Sequence, residues 1–326
     1  MTRVFSGIKP SGSVQLGNYL GALQNWVLMQ KETDAVYCVV DLHALTVLHD
    51  PEELKSSTLS LTQMLMAVGL DPERCILFVQ SHVKEHAECA WLMECTAAFG
   101  ELRRMTQFKD KSTGNDFVSA GLFTYPALQA ADILLYDTNQ VPVGEDQRQH
   151  IELTRDIAIR FNSRFGETFT VPEAVIPSSG ARVMDLQHPE KKMSKSEDSP
   201  QGTILLLDPP DVIEKKVKRA VTDSDDEVFF DIENKPGVSN LLSILGAATG
   251  KTPQEASKGI DRYGDLKSAT SEAVIELLKP VQEKYFDLAD DPAETNRLIA
   301  KGAEKAREVA SATLSRAQEN IGLFKH

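Results

Sequence analysis

VFSGIKPSGSVQLGN, residues Val4 to Asn18, opens as a short apolar run and passes at once into a loop rich in Gly, Ser and Pro. Downstream, Leu20, Leu23 and Val27 recur at helical spacing, with Trp26 beside them, through about Lys31. AVYCVVDL (Ala35 to Leu42) follows, a nearly continuous β-branched and aromatic run of the kind found in strands buried on both faces. Strand, glycine loop, helix and strand within the first 42 residues make a βαβ unit, and its right-handed crossover sets the two strands parallel.

Working outward, CILFVQS (Cys75 to Ser81) supplies another buried strand, and QVPVG (Gln140 to Gly144) a further short one between helical stretches at Pro126 to Tyr136 and Asp146 to Phe161. This alternation predicts an α/β doubly wound parallel sheet, a Rossmann-like nucleotide-binding domain. Ligands in such sheets bind beyond the carboxyl ends of the strands, here the loops after Ile8, Leu42, Gln80 and Val143. From Pro209 onward the strand signals nearly vanish. DVIEKKVKRAV, SNLLSILGAAT and SEAVIELLKPVQEKYFDLA carry helical patterns, so a second, all-helical domain is expected there. The last helix, about Ala303 to Asn320, is long and amphipathic, and periodicity leaves open which domain it joins.

The chain has 326 residues, 41% of them hydrophobic, enough for a sizeable core in one large and one smaller domain. A net charge of −13 argues against nonspecific nucleic-acid binding, though a local basic patch can still read RNA. EKKVKRA (Glu214 to Ala220) gathers Lys215, Lys216, Lys218 and Arg219 into such a patch, or into an ordinary solvated helix face. Cys38, Cys75, Cys89 and Cys95 form no Cys-x-x-Cys pair, and no apolar segment precedes the first strand, so reduced thiols in a cytoplasmic protein are expected. No apolar run nears the roughly 18 residues a membrane-spanning helix requires.

Three loops draw attention to chemistry. PSGSVQLGN (Pro10 to Asn18) places Gly12 and Gly17 before a helix whose free N–H groups suit phosphate, though an ordinary strand-to-helix turn looks the same. VGEDQ (Val143 to Gln147) sets carboxylates just past a strand, where they can accept from ribose hydroxyls or simply favour a helix start. KKMSKS (Lys191 to Ser196) packs three lysines and two serines around one methionine, between Pro189 and Pro200. That is a solvated loop, or lysines waiting for an anion. His82, His86 and Cys89 stand at i, i+4 and i+7 and would share a face if the segment were helical, but a fourth ligand is missing and no metal is assigned.

LGN, GEDQ and KMSKS, in that order on an α/β sheet, resemble the signatures of the class I aminoacyl-tRNA synthetases. Over essentially the whole length, SGIKPSG, LGNYLGAL, DLHALTV, MTQFKDK, LFTYPALQAADILLY, VPVGEDQRQHIELTRDIAIRFN and KKMSKS resemble the bacterial tryptophanyl-tRNA synthetases. The resemblance implies activation of L-tryptophan by ATP with Mg²⁺, then transfer to the 2′-hydroxyl of the terminal adenosine of tRNA(Trp), by a cytoplasmic homodimer. It implies a catalytic domain at residues 1–207, with an inserted dimer-forming region at about 47–120, and a helical anticodon-binding domain at 208–326. Because the substrate's own carboxylate attacks, catalysis rests on alignment and charge stabilisation.

Residue by residue, the resemblance assigns Lys192, Lys195, Lys111 and Asn18 to catalysis. Lys9, Ser11, Gln15, Gly17, Gly144, Asp146, Val183, Met193 and Ser194 join them in binding ATP, with Val183 and Met193 flanking adenine. For tryptophan it implies Phe5, Gly7, Gln129, Val141 and Val143 at the indole, Tyr125 and Gln147 at the α-amino or carboxylate end, and His43 nearby, a position equally suited to a core histidine. Asp132 carries specificity; a helix-surface charge is the alternative, but in the apolar AADILLY an unpartnered carboxylate would be costly. The sequence departs from the family at Gln15, where relatives have Thr or His, at Lys9, where some have Gln, and at Gln129, where many have Met. A tyrosine-specific synthetase and an inert tRNA-binding paralogue are the rival readings.

Overall fold

The computed structural model describes residues 1–106, 108, 118–144, 147–175, 181–193 and 200–324. A five-stranded sheet organises the first part of the chain: β1 (Arg3–Ile8), β2 (Asp34–Val39), β3 (Ile76–Val79), β4 (Gln140–Pro142) and β5 (Glu173–Val175), in the order β3-β2-β1-β4-β5. Every pairing is parallel. β1 lies along the whole of β2, from Arg3 opposite Asp34 to Ile8 opposite Val39, as the βαβ unit requires. The expected second strand is shorter than its apolar run, because Leu42–Thr46 turns into a 3-10 helix. β5 was not expected; its three residues are exposed or half-buried and too few to make a pattern.

Alternate side chains of the strands enter two cores. Val4, Tyr37, Val39 and Leu77 face one side, against Leu16, Leu20 and Leu23 of the first crossover helix and Leu65 of the helix Pro51–Ala67. Phe5, Val36, Cys38 and Phe78 face the other, against the helices Glu85–Thr96, Ala120–Leu134 and Arg148–Phe165. The chain is thus a Rossmann-like parallel α/β domain followed by an all-helical one. From Pro210–Lys218 onward every described element is a helix: Pro236–Thr249, Pro253–Ala256, Tyr263–Asp290 and Pro292–Ile321 complete it.

The last helix starts well before the expected Ala303 and returns to the sheet. Ala303, Ala306, Ala310 and Leu314 share the core of Phe5 and Phe78. At Gly302 the helix backbone rides directly on β3, where an added Cβ would sit 1.8 Å from the Leu77 carbonyl oxygen. Among the described residues no helix is long and apolar enough to cross a membrane.

Candidate active site

In this strand order the crossovers diverge on either side of β1, so the crevice for a ligand opens beyond the carboxyl ends of β1 and β4. A cavity of about 440 Å³ lies there. β1 contributes Phe5, Gly7 and Ile8, with Lys9 next; β4 and its continuation contribute Val141, Val143 and Gly144. The helix Ala120–Leu134 turns Tyr125, Gln129 and Asp132 toward it, positions i, i+4 and i+7 on one face. His43 from the 3-10 turn and Gln147 complete the expected set, so all nine residues assigned to tryptophan line one cavity. Ser119 holds two of these elements together: its hydroxyl caps the helix by accepting from the Leu122 N–H at 3.1 Å and donates to the Thr46 carbonyl at 2.9 Å.

Asp132 sits at the floor, 1% exposed. Its Oδ1 accepts from Gln80 Nε2 at 2.6 Å and faces His86 Nδ1 at 2.6 Å, while Oδ2 faces His43 Nε2 at 2.8 Å. Burial alone would push this carboxyl up, but the His43 and His86 imidazoles and their hydrogen bonds more than reverse it, holding it below the ordinary carboxylate range. The buried-charge reading therefore replaces that of a helix-surface charge. Near the mouth, the Tyr125 hydroxyl lies 2.8 Å from His150 Nε2, and burial pushes the phenol up to about 12.

The glycine loop is tied down by backbone. The Leu16 N–H donates to the Ile204 carbonyl at 2.8 Å and the Leu206 N–H to the Val14 carbonyl at 3.0 Å. Gln15, assigned to phosphate, has its side chain buried: Oε1 accepts the Gly17 N–H at 2.6 Å and Nε2 donates to the Met193 carbonyl at 2.9 Å. It links the glycine loop to the KMSKS segment. A Cβ on Gly17 would meet that amide at 2.8 Å. Helix Leu16–Asn18 runs through a π-helical Tyr19–Leu23 into Gln24–Met29, which places Asn18 in the first turn after the loop. Val183 and Met193 are neighbours, the Met193 N–H donating to the Val183 carbonyl at 3.1 Å, and both side chains are buried. Ser11 and Lys192 are exposed. Lys111, Asp146, Ser194 and Lys195 lie outside the described residues.

Sequence reasoning missed Gln80 and His86 as partners of Asp132, and Trp26, Thr46 and Leu122 as cavity lining. Leu122 was accessible, being three residues before Tyr125 on the same helical face. The metal-type spacing does not form one face: His82 ends a 3-10 turn, Gln80–His82, while His86 and Cys89 belong to Glu85–Thr96. His86 has both ring nitrogens engaged within the protein, at Asp132 and at the Tyr136 hydroxyl.

A model of the family described as tRNA synthetases class I (W and Y) matches residues 1–279. A tryptophan–tRNA ligase of Caldanaerobacter subterraneus subsp. tengcongensis is 54% identical, with 99% of each chain covered. Among solved structures, tryptophanyl-tRNA synthetase from Mycoplasma pneumoniae superposes with a TM-score of 0.91 at 39% identity, covering 99% of this chain and 98% of that one. The Campylobacter jejuni enzyme, complexed with ADP and tryptophan, gives 0.84 at 36%, covering 99% and 100%.

Proposed function

The chain belongs to the class I aminoacyl-tRNA synthetases of the tryptophan and tyrosine type, on their bacterial tryptophanyl branch, and from that premise we propose that it is a tryptophan–tRNA ligase using ATP. The observation that carries the amino-acid assignment is the buried, ionised Asp132 at the end of an apolar cavity. An indole offers one N–H donor and a large apolar face; the Asp132 carboxylate accepts the first, and Phe5, Val141 and Val143 cover the second. Phenylalanine has no donor to offer there, and tyrosine has an O–H in a different place.

In the first step a tryptophan carboxylate oxygen bonds to the α-phosphorus of ATP and the bond to the bridging oxygen breaks, giving tryptophanyl-adenylate and pyrophosphate. In the second, the 2′-hydroxyl of the terminal adenosine of tRNA(Trp) attacks the acyl carbon and AMP departs. Neither step needs a protein nucleophile, so the residues act by alignment. Gln147 and Tyr125 serve the polar end of tryptophan, His43 backs Asp132 at the floor, Gly144 and Asp146 serve the ribose, and Val183 and Met193 the adenine. Lys9, Ser11, Gly17 and Asn18 serve the triphosphate at the helix start, with Gln15 holding the loop. Lys192, Lys195 and Lys111 neutralise charge on the leaving pyrophosphate. Mg²⁺ accompanies the triphosphate as its counter-ion. Among the described residues no group of three or more His, Cys, Asp or Glu stands ready to hold a metal ion.

The domain division at residue 207, the dimer-forming insertion at about 47–120 and anticodon reading by the helical domain belong to the same proposal. Exposed Leu48, Trp91 and Phe99 supply the insertion with apolar surface for a second copy. A cytoplasmic setting agrees with the four free cysteines. Exchange of labelled pyrophosphate into ATP, run separately with each proteinogenic amino acid, tests the reading: tryptophan alone should support rapid exchange. Tyrosine-dependent exchange would establish the nearest rival, and none at all the inert paralogue.

A further inference from the structure

Behind the cavity floor, Asp132 is held by Gln80 and His86, neither of which lines the cavity, and from the cavity side by His43. A carboxylate oxygen accepts about two hydrogen bonds. Among the described residues Oδ1 has both, from Gln80 Nε2 and His86 Nδ1, whereas Oδ2 has one, from His43 Nε2. The vacant acceptor direction on the carboxylate therefore belongs to Oδ2, on a residue that lines the cavity. Which oxygen is left available depends on His86 presenting a proton at Nδ1.

Tyr136 fixes that proton. Its hydroxyl lies 2.7 Å from His86 Nε2, and both residues are fully buried. Burial keeps the phenol protonated well above its ordinary range. An imidazolium would donate from both nitrogens and leave the buried Tyr136 O–H without an acceptor, at a cost of about 1–3 kcal/mol. A neutral ring protonated at Nδ1 satisfies every group: Tyr136 O–H donates to Nε2, and Nδ1–H donates to Asp132. The Tyr136 ring also stacks on Phe5, centroids 5.6 Å apart and planes 12° from parallel, so one residue supports both the apolar wall and the floor.

We propose that His86, held in its Nδ1–H tautomer by Tyr136, is a positioning residue for substrate specificity: it saturates Asp132 Oδ1 and so aims Oδ2 at the indole N–H. This rests on the reading of Asp132 as the indole acceptor and assigns to His86 a role that a merely space-filling histidine would not have. The two nitrogens can be separated by substitution. Asn reaches about as far as Nδ1 and can still donate to Asp132, whereas Gln reaches about as far as Nε2 and addresses Tyr136 instead.

The test measures kcat/KM for tryptophan and for phenylalanine in H86N, H86Q, Y136F and D132A, with KM for ATP alongside. H86Q should shrink the tryptophan-over-phenylalanine ratio by about tenfold or more, H86N should retain most of it, and Y136F should lose a few-fold, all with ATP binding unchanged. Equal ratios in H86N and H86Q, with D132A still collapsing the preference, would overturn the role of His86 alone. A preference that survives D132A would overturn the underlying reading and this one with it. Because either histidine variant can fold poorly, ¹⁵N spectra of histidine-labelled unaltered protein give an independent check: a buried neutral ring protonated at Nδ1 is expected, and an imidazolium or an Nε2–H ring refutes the scheme.

Discussion

Around Asp132 the floor of the cavity is built from side chains: Gln80 at the end of β3, His86 from Glu85–Thr96 and His43 from the 3-10 turn converge on one carboxylate. Around Gly17 the glycine loop is built from backbone, laddered to Ile204 and Leu206, with the single amide of Gln15 reaching across to Met193. On the proposed function, the first arrangement encodes the identity of a ligand, since each partner fixes a lone pair or a proton. The second encodes only a path for the chain, and on the same proposal its N–H groups and the loop lysines meet phosphate whatever is being activated. Substitutions at the floor should thus alter which amino acid is used, and substitutions at the loops how fast or how tightly ATP is used.

The largest effect is expected at the floor. Asp132→Ala removes the acceptor, and sites that hydrogen-bond a substrate group reject analogues lacking it by roughly 10⁴-fold, so much of the tryptophan preference should vanish. Activation of tryptophan, phenylalanine and tyrosine measured in the variant checks this, and ATP affinity should stay near its original value. A variant still selective for tryptophan would dissolve the contrast between the two ends of the cleft.

At the nucleotide end, Lys195→Ala should slow adenylate formation by about 10²-fold, because removing a positive group from developing charge costs on the order of 3 kcal/mol. Amino-acid selectivity should be untouched, and Ser194→Ala should be milder. Single-turnover measurement of adenylate formation decides; an unchanged rate removes Lys195 from the chemistry.

A smaller change is expected at Gln15. Gln15→Glu keeps an acceptor for the Gly17 N–H but cannot donate to the Met193 carbonyl, which isolates the link between the loops. KM for ATP should rise about tenfold, consistent with the absence of one hydrogen bond and a misplaced negative charge. KM for tryptophan should move little. Pyrophosphate exchange with each substrate varied in turn separates the two, and a change confined to tryptophan would mean that the loops do not divide the labour as described.

How far these two ends were legible in the sequence follows from the same difference. β1, β2 and β3 announced themselves as apolar runs, and Tyr125, Gln129 and Asp132 lie within one helix at helical spacing, so their convergence could be anticipated. Gln80 and His86 could not, because they meet Asp132 from 52 and 46 residues away and no local period relates them. β5 escaped because three residues on a sheet edge, two exposed and one half-buried, make no pattern. Gln15 stood in plain view within the loop, yet its partner Met193 is 178 residues distant, so its side chain was assigned to the ligand instead of the protein.

The basic run EKKVKRA carries the smallest expected effect on catalysis and divides in the same way. Lys215, Lys218 and Arg219 are exposed, but Lys216 is buried, its Nζ donating to the Thr203 carbonyl at 2.7 Å and to Asp208 at 2.6 Å. The pattern was readable: Ile213 and Val217 form the apolar stripe of this helix, Ala220 continues it just past the end, and Lys216 falls within it, one position before Val217. Lys216 anchors Thr203 and Asp208, on either side of the Ile204–Leu206 segment that supports the glycine loop, so it acts on structure. Lys216→Gln should lower stability by about 3 kcal/mol, since breaking a buried pair strands the remaining carboxylate. Lys215→Gln with Lys218→Gln should leave stability and pyrophosphate exchange intact. If these two meet tRNA, the double variant should bind it a few-fold more weakly and lower the salt slope by about 2, roughly one for each phosphate no longer neutralised. Thermal unfolding and tRNA binding across a salt series distinguish the three positions. An unaltered salt slope returns Lys215 and Lys218 to a solvated helix face, while an unaltered melting temperature in Lys216→Gln contradicts its anchoring role.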